Sequence, residues 1–190
     1  MGEFAEIDRT IIDTSGLPDY VGKAVVASED RTFYSNQGVD PKGIIRALWN
    51  NLSGGATQGA STLTQQYVKN YYVDTTSSYA GKFQQAIMAI KIDRSQSKEQ
   101  ILDSYLNTVY FGRGAYGIEA AAQAFFDKSA AELTVSESAL LAGILPAPSA
   151  WDPTINPDKA QERWQRVMEY MLTDGYITQD QVNQDRKSVV

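Results

Sequence analysis

The chain has 190 residues, 43% of them hydrophobic and 21% charged, the balance of a globular protein rather than of a disordered, collagen-like or coiled-coil one. With 17 basic and 23 acidic residues and a formal charge of −6, it lacks the basic footprint of a duplex-binding domain, so no nucleic-acid partner is expected. It has no cysteine and no histidine, which excludes disulfides, thiolate nucleophiles, Cys/His zinc sites and His-based triads and leaves acid/base work to carboxylates, Lys or Tyr.

Apolar residues recur mostly at helical spacing. A short strand is expected in the segment FAEIDRTII near the start. Pro18 and Asp19 open a helix in which Val21, Ala24, Val25 and Ser28 share a face, and that helix delivers Glu29 and Asp30 at its end. Asp40 and Pro41 read as an N-cap and first helical position, followed by Ile44, Ile45, Leu48, Trp49 and Leu52, with Gly54 and Gly55 as the stop. Ser61 is expected to cap a third helix that aligns Leu63, Tyr67 and Tyr71. A fourth helix is expected to turn Phe83, Ala86, Ile87 and Ile90 inward. Two capping boxes follow, Ser97 with Gln100 and Thr134 with Glu137, with a short strand expected at 108–111 between them. Asn156 and Pro157 start a last long helix carrying Trp164, Val167, Met168 and Met171, which Asp174 and Gly175 end.

Two patterns imitate known chemistry. Gly112, Gly114 and Gly117 form a GxGxxG, but the flanks offer no βαβ unit to make it a dinucleotide site. Ser95 and Lys98 match Ser-x-x-Lys, but the further motifs of acyl-serine enzymes are missing and a helix N-terminus explains the pair better.

Three other segments carry more. In residues 29–40, adjacent acids follow an apolar helix, then come an aromatic, a glycine and another acid before the next cap. The helix buries its other side, so Glu29 is expected at the rim of the core, where partial desolvation makes a carboxylate a better base. In residues 58–72, small residues and hydroxyls at a helix start precede Gln65, Gln66, Lys69 and Asn70; free N–H groups at such a start favour an anion. In residues 81–94, Lys82 and Gln85 lie on the face away from Phe83 and Ile87.

In this order the three segments resemble glycosyltransferase family 51, the peptidoglycan glycosyltransferase module of class A penicillin-binding proteins and monofunctional transglycosylases. The family's first motif, EDxxFxxHxGxD, appears as Glu29, Asp30, Phe33, Gly38 and Asp40. Its second, GxSTxTQQ, appears as Gly59, Ser61, Thr62, Thr64, Gln65 and Gln66, running on to Lys69 and Asn70. Residues 97–126 and 140–153 are also similar. Asn36 stands where the family usually has His, and Ala60 where it often has Gly. The third motif, RKxxE, reads Gly81, Lys82, Phe83, Gln84 and Gln85, so only its Lys carries over.

The resemblance spans nearly the whole chain. It implies one domain over 1–190, mainly α and lysozyme-like, with a larger catalytic lobe and a smaller membrane-facing jaw. No stretch approaches the roughly 18 apolar residues of a membrane span, and the first residues lack a signal-peptide pattern. The anchor is therefore expected outside these residues, and a transpeptidase domain in the parent chain is compatible with the resemblance. The implied reaction is polymerisation of lipid II: the 4-hydroxyl of an incoming lipid II displaces undecaprenyl pyrophosphate from the growing glycan chain with inversion, forming a β-1,4 bond.

In that reading Glu29 is the general base and Lys82 a catalytic cation for the departing pyrophosphate. Asp30, Ser61, Thr62, Gln65, Gln66, Lys69, Asn70 and Gln85 bind or orient substrate. No tightly bound cofactor is implied, although a divalent cation, Mg or Mn, would assist pyrophosphate departure; no residues form a metal cage. The implied partners are lipid II, the growing glycan and the membrane surface, at the outer face of a bacterial cytoplasmic membrane. Two rival readings remain at this point: a non-catalytic lipid II binding or assembly module, suggested by Gly81 and Gln85, and a lysozyme-like hydrolase, which needs a second acid near Glu29.

Overall fold

The computed structural model describes residues 8–52, 61–71 and 79–185. Among these the chain is mostly helical, with nine α-helices, three very short strands and two single-turn 3-10 segments; the mainly α fold expected from the sequence is the one observed. It divides into two compact units, one formed by Met1–Glu29 with Asp103–Val190 and the other by Asp30–Leu102. No helix among the described residues is long and apolar enough to cross a membrane.

The first unit is built on α1 (Asp19–Glu29), α7 (Val135–Ile144) and α8 (Pro157–Thr173), which pack on one another. Helix α1 buries Val21, Ala24, Val25 and Val26, α7 buries Leu141 and Ile144, and α8 buries Val167, Met168 and Met171. These helices have the ends their sequences encode. Thr134 and Glu137 close the capping box on α7, and the Asn156 side chain accepts from Lys159 N ahead of Pro157. A third box, Ser129 with Glu132, caps the single turn Ala130–Glu132. Each box satisfies N–H groups that the helix leaves without partners.

Helix α6 (Ile118–Phe126) packs on a three-stranded sheet ordered β1 (Asp8–Arg9), β3 (Ala115–Tyr116), β2 (Tyr110–Gly112). Strand β3 falls inside the GxGxxG. The three glycines serve a hairpin and the start of α6 rather than a phosphate loop: Gly112, Gly114 and Gly117 all have positive φ, which glycine adopts at little cost. At Gly117 a Cβ would sit 2.9 Å from the Asn107 carbonyl oxygen. The same Asn107 side chain accepts from Ile12 N at 2.9 Å and donates to Ile12 O at 3.0 Å, and Thr14 Oγ1 donates to Asp103 at 2.7 Å. Together they tie the N-terminal segment to the last turn of α5 (Lys98–Leu106) and the residue that follows it.

Arg113 and Asp152 lock the hairpin to the segment before α8. Arg113 donates to the two carboxylate oxygens of buried Asp152 at 2.7 and 2.8 Å, and its guanidinium lies 4.0 Å from the Phe125 ring centroid. Hydrogen bonds from Arg113 first, with help from Thr154, hold the Asp152 carboxyl well below the usual carboxylate range. A carboxyl lowered on folding stabilises the native state above its unfolded value of about 3.9, and that stability is lost as pH falls toward the folded value. Stability of the wild type should therefore fall more steeply than that of Asp152→Asn as pH drops below about 4. Urea unfolding of both proteins at pH 3 to 7 checks this, and parallel curves would refute it.

The second unit contains α2 (Pro41–Leu52), α3 (Leu63–Tyr71) and α4 (Tyr79–Ser95), with α3 packed on α4. Its core holds Phe33, Leu63, Tyr67, Val68, Ala89 and Ile101. Two sequence expectations need correction. Thr62, not Ser61, caps α3: Thr62 Oγ1 accepts from Gln65 N at 3.1 Å, and Thr62 N donates to Gln65 Oε1 at 2.9 Å. Helix α4 does not turn its bulky residues inward. Phe83 is 69% and Ile87 40% exposed, while Gly81, Ala89 and Ile92 are buried. Small residues on that face let α4 approach its neighbours, and a Cβ on Gly38 would sit 2.5 Å from the Ala89 carbonyl oxygen. Gly54, Gly55 and Gly59 of the sequence reading lie outside the described residues, as does the Tyr71 side chain.

The large exposed apolar side chains concentrate in this unit. Ile44, Ile45 and Trp49 on α2, Phe83 and Ile87 on α4, and Tyr34 are all exposed; in the first unit, Ile11 and Ile155 are.

Candidate active site

The candidate residues fall in both units. In the second, Asp30 is 7% exposed, and its carboxylate is committed. Oδ2 accepts from Leu63 N at 3.1 Å and from Asn36 Nδ2 at 2.9 Å; Oδ1 accepts from Thr32 N at 3.1 Å and Thr32 Oγ1 at 2.8 Å. An anion thus does sit at the start of α3, where N–H groups and helix dipole favour one, but it is the protein's own. Thr62 Oγ1 donates to Gly38 O at 2.6 Å, so Asp30, Gly38, Thr62 and Gln65 form one hydrogen-bonded assembly that fixes the loop against the helix.

Asn36, at the position where the family usually has His, belongs to the same assembly. Its Oδ1 accepts from Gly38 N at 3.1 Å and from Lys98 Nζ at 3.2 Å. Lys98 also pairs with Asp93 and lies 4.9 Å from the Phe33 ring centroid. Ser95 Oγ bonds Ile92 O, so neither member of the Ser-x-x-Lys is arranged as a nucleophile with its base.

The remaining candidates of this unit present a polar surface. Ser61, Lys69, Asn70 and Lys82 are exposed, while Gln65, Gln66 and Gln85 are partly buried. Lys69 is in the last turn of α3 and Lys82 near the start of α4. Both are cations within reach of solvent.

Glu29 is the last residue of α1, in the first unit, and is partly buried. Ser28 Oγ lies 3.0 Å from its Oε1 and 2.8 Å from Ala142 O. Tyr105, fully buried, has its phenol pushed well above the ordinary value, first by burial and then by the negative charge of Glu29. It therefore stays neutral at working pH. Arg163 is partly buried; burial pulls its guanidinium below the ordinary value, and Glu29 is the foremost charge working against that.

Sequence reasoning overlooked Asp30 as the anchor of α3, and the group of Ser28, Tyr105 and Arg163 around Glu29. For the first, Thr62 followed by Gln65 is a capping box that marks the start of α3, but Asp30 reaches Leu63 N across 33 positions, which no local pattern shows. The second had no signal either, because Ser28 and Arg163 are 135 positions apart.

No group of three or more Asp and Glu able to hold a metal ion occurs among the described residues, and the carboxylate of Asp30 has its oxygens taken.

The chain belongs to the transglycosylase family, whose sequence profile matches residues 1–172. That family is one of glycosyltransferases. Its relatives include penicillin-binding protein 1A of Neisseria flavescens, 42% identical over 188 residues, which cover 98% of this chain and 24% of that protein. Penicillin-binding protein 1A of Mycobacterium tuberculosis (strain ATCC 25618 / H37Rv) is 46% identical over 171 residues, 88% of this chain and 21% of that protein. Among solved structures, penicillin-binding protein 1A from Haemophilus influenzae matches with a TM-score of 0.57 at 24% identity, over 97% of this chain and 18% of that one, a likeness of fold. The chain spans 24% or less of the length of these relatives.

Proposed function

We propose that this domain is a peptidoglycan glycosyltransferase that polymerises lipid II. The observation that carries the reading is Glu29, a partly exposed carboxylate at the end of a helix otherwise packed into the core, next to a hydroxyl and under the influence of a cation. That is the setting a general base requires. The acceptor sugar's 4-hydroxyl gives its proton to Glu29 as its oxygen attacks the anomeric carbon of the growing chain. The bond to pyrophosphate breaks on the opposite face, so an α-linked donor gives a β-1,4 product.

The departing pyrophosphate gathers negative charge, and Lys82 and Lys69 are the cations assigned to it. Gln66, Asn70, Ser61 and Gln85, with the amide nitrogen of Gln65, offer hydrogen bonds to sugar and phosphate. Asp30 and Thr62 act one step back, by fixing the start of α3. The exposed apolar residues of the second unit suit a membrane surface, where a lipid-linked substrate resides and where such side chains find an apolar medium. The setting proposed is the outer face of a bacterial cytoplasmic membrane, in a parent chain that also carries a transpeptidase domain.

Incubating the domain with labelled lipid II in detergent or vesicles and resolving the products by gel tests the reading. A ladder of glycan polymers is expected. Lys82→Ala should lower its rate by about 10² to 10³-fold, the usual cost of removing one transition-state donor. The replacement of the third motif's Arg and Glu by Gly81 and Gln85 favours a second reading, a lipid II binding module without turnover. It predicts saturable binding of lipid II, no ladder, and gain of activity in Gln85→Glu.

A further inference from the structure

Arg163 sits on α8 with its guanidinium held on three sides. Its Nε donates to Gly143 O at 2.9 Å, its Nη2 approaches Ser28 Oγ at 3.4 Å, and its plane lies 5.1 Å from the Trp151 ring centroid. Helices α7 and α8 are so close here that a Cβ on Gly143 would meet the Arg163 carbonyl carbon at 3.1 Å. The guanidinium is thus pinned to the end of α7 and aimed at the residue that precedes Glu29.

Ser28 Oγ lies within hydrogen-bond reach of two acceptors, Ala142 O and Glu29 Oε1. A hydroxyl has one hydrogen, so the two compete for it. An N–H from Arg163 on the same oxygen leaves that hydrogen free to choose between them. With Glu29 ionised, the hydrogen is drawn to the carboxylate. Once Glu29 has taken the acceptor's proton, its oxygen is a weaker acceptor and the hydroxyl turns to Ala142 O.

We propose that Arg163, acting through the Ser28 hydroxyl, is a positioning residue that holds the Glu29 carboxylate charged and in one orientation, with Ser28 as the rotor that follows its protonation. This rests on Glu29 being the base. Ser28 lies on Glu29's own helix, Tyr105 of α5 is a neutral phenol within the influence of its charge, and Arg163 of α8 is a cation within that influence that reaches Ser28 Oγ. Arg166, Glu162 and Tyr170 act on Arg163 in turn. The neighbouring Asp30 is committed elsewhere, as described above.

Removing a cation beside a carboxylate disfavours the charged form, so its titration midpoint rises and a base that must be ionised fails on the acid side. The test is a carbon-13 NMR titration of carboxyl-labelled glutamate, with the Glu29 signal assigned from Glu29→Gln, in parallel with pH–rate profiles of glycan polymerisation. In Arg163→Gln the Glu29 midpoint should rise by about one pH unit, with roughly tenfold lower kcat below the midpoint and recovery at higher pH. Arg163→Lys should restore most of the midpoint, and Ser28→Ala should move it the same way by less. An unchanged midpoint in folded Arg163→Gln, or a rate loss equal at all pH, would overturn the proposal; if that variant does not fold, the midpoint in Ser28→Ala decides. Polymerisation retained by Glu29→Gln would instead sink the base assignment, and the midpoints would still judge the charge coupling.

Discussion

Glu29→Gln is expected to lower the rate of glycan polymerisation by about 10² to 10⁴-fold, the contribution of a positioned general base, while the domain keeps its fold. The substitution preserves size and leaves an amide oxygen that still accepts from Ser28, so the first unit loses little packing. It removes the one property the mechanism needs, a site that can take the acceptor's proton. The loss should fall on kcat, since the contacts proposed for lipid II are made by cations and amides elsewhere. Product ladders from wild type and variant side by side, with thermal unfolding as a check on the fold, give the answer. Wild-type-like polymer from the variant would end the assignment of the base.

Asp30→Ala is expected to destabilise the second unit by about 3 kcal/mol, because it takes a charged acceptor from one buried donor and from partly buried ones beside it. Leu63 N and the Thr32 N–H and hydroxyl lose this acceptor at once, and Asn36 Nδ2 is left with Thr32 Oγ1. Leu63 is fully buried, so water does not readily replace the carboxylate. Hydrogen exchange should show the Leu63 amide among the first to lose protection, and urea unfolding should report the lost stability. A protected Leu63 amide and an unchanged midpoint would mean that Asp30 is free for some other task. The adjacent acids at 29 and 30 thus have opposite duties: Glu29 is left partly open to solvent, and Asp30 is consumed by the fold.

Much of the fold was legible in local chemistry. Helices α1, α5, α7 and α8 begin where Pro, capping hydroxyls or Asn place them, because a cap is decided within four residues of sequence. What failed did so for physical reasons. Helix α4 carries apolar residues on both sides, so periodicity pointed to bulky Phe83 and Ile87, whereas close packing selected the face with Gly81 and Ala89. The cap of α3 was misplaced by one residue because Ser61 and Thr62 are equally competent caps, and only the Gln65 partner separates them. Strand β3 has two residues, too few for any alternation to register. At the site, the ordered motifs drew attention to Glu29 and Lys82. The group around Glu29 depends on which helices meet in space, and no spacing rule brings Arg163 to Ser28.

The exposed side chains of α2 and α4 bear on how a chain of net charge −6 would meet lipids in the proposed membrane setting. Bacterial inner-membrane surfaces are rich in anionic headgroups, which repel an acidic protein through a field that decays within about 10 Å at ordinary salt. In the proposed membrane setting, adhesion would come from the exposed Ile45, Trp49 and Phe83 entering the acyl boundary, an attraction that ionic strength does not weaken. Salt would loosen a basic peripheral protein from vesicles, yet here it would screen the repulsion and tighten the hold.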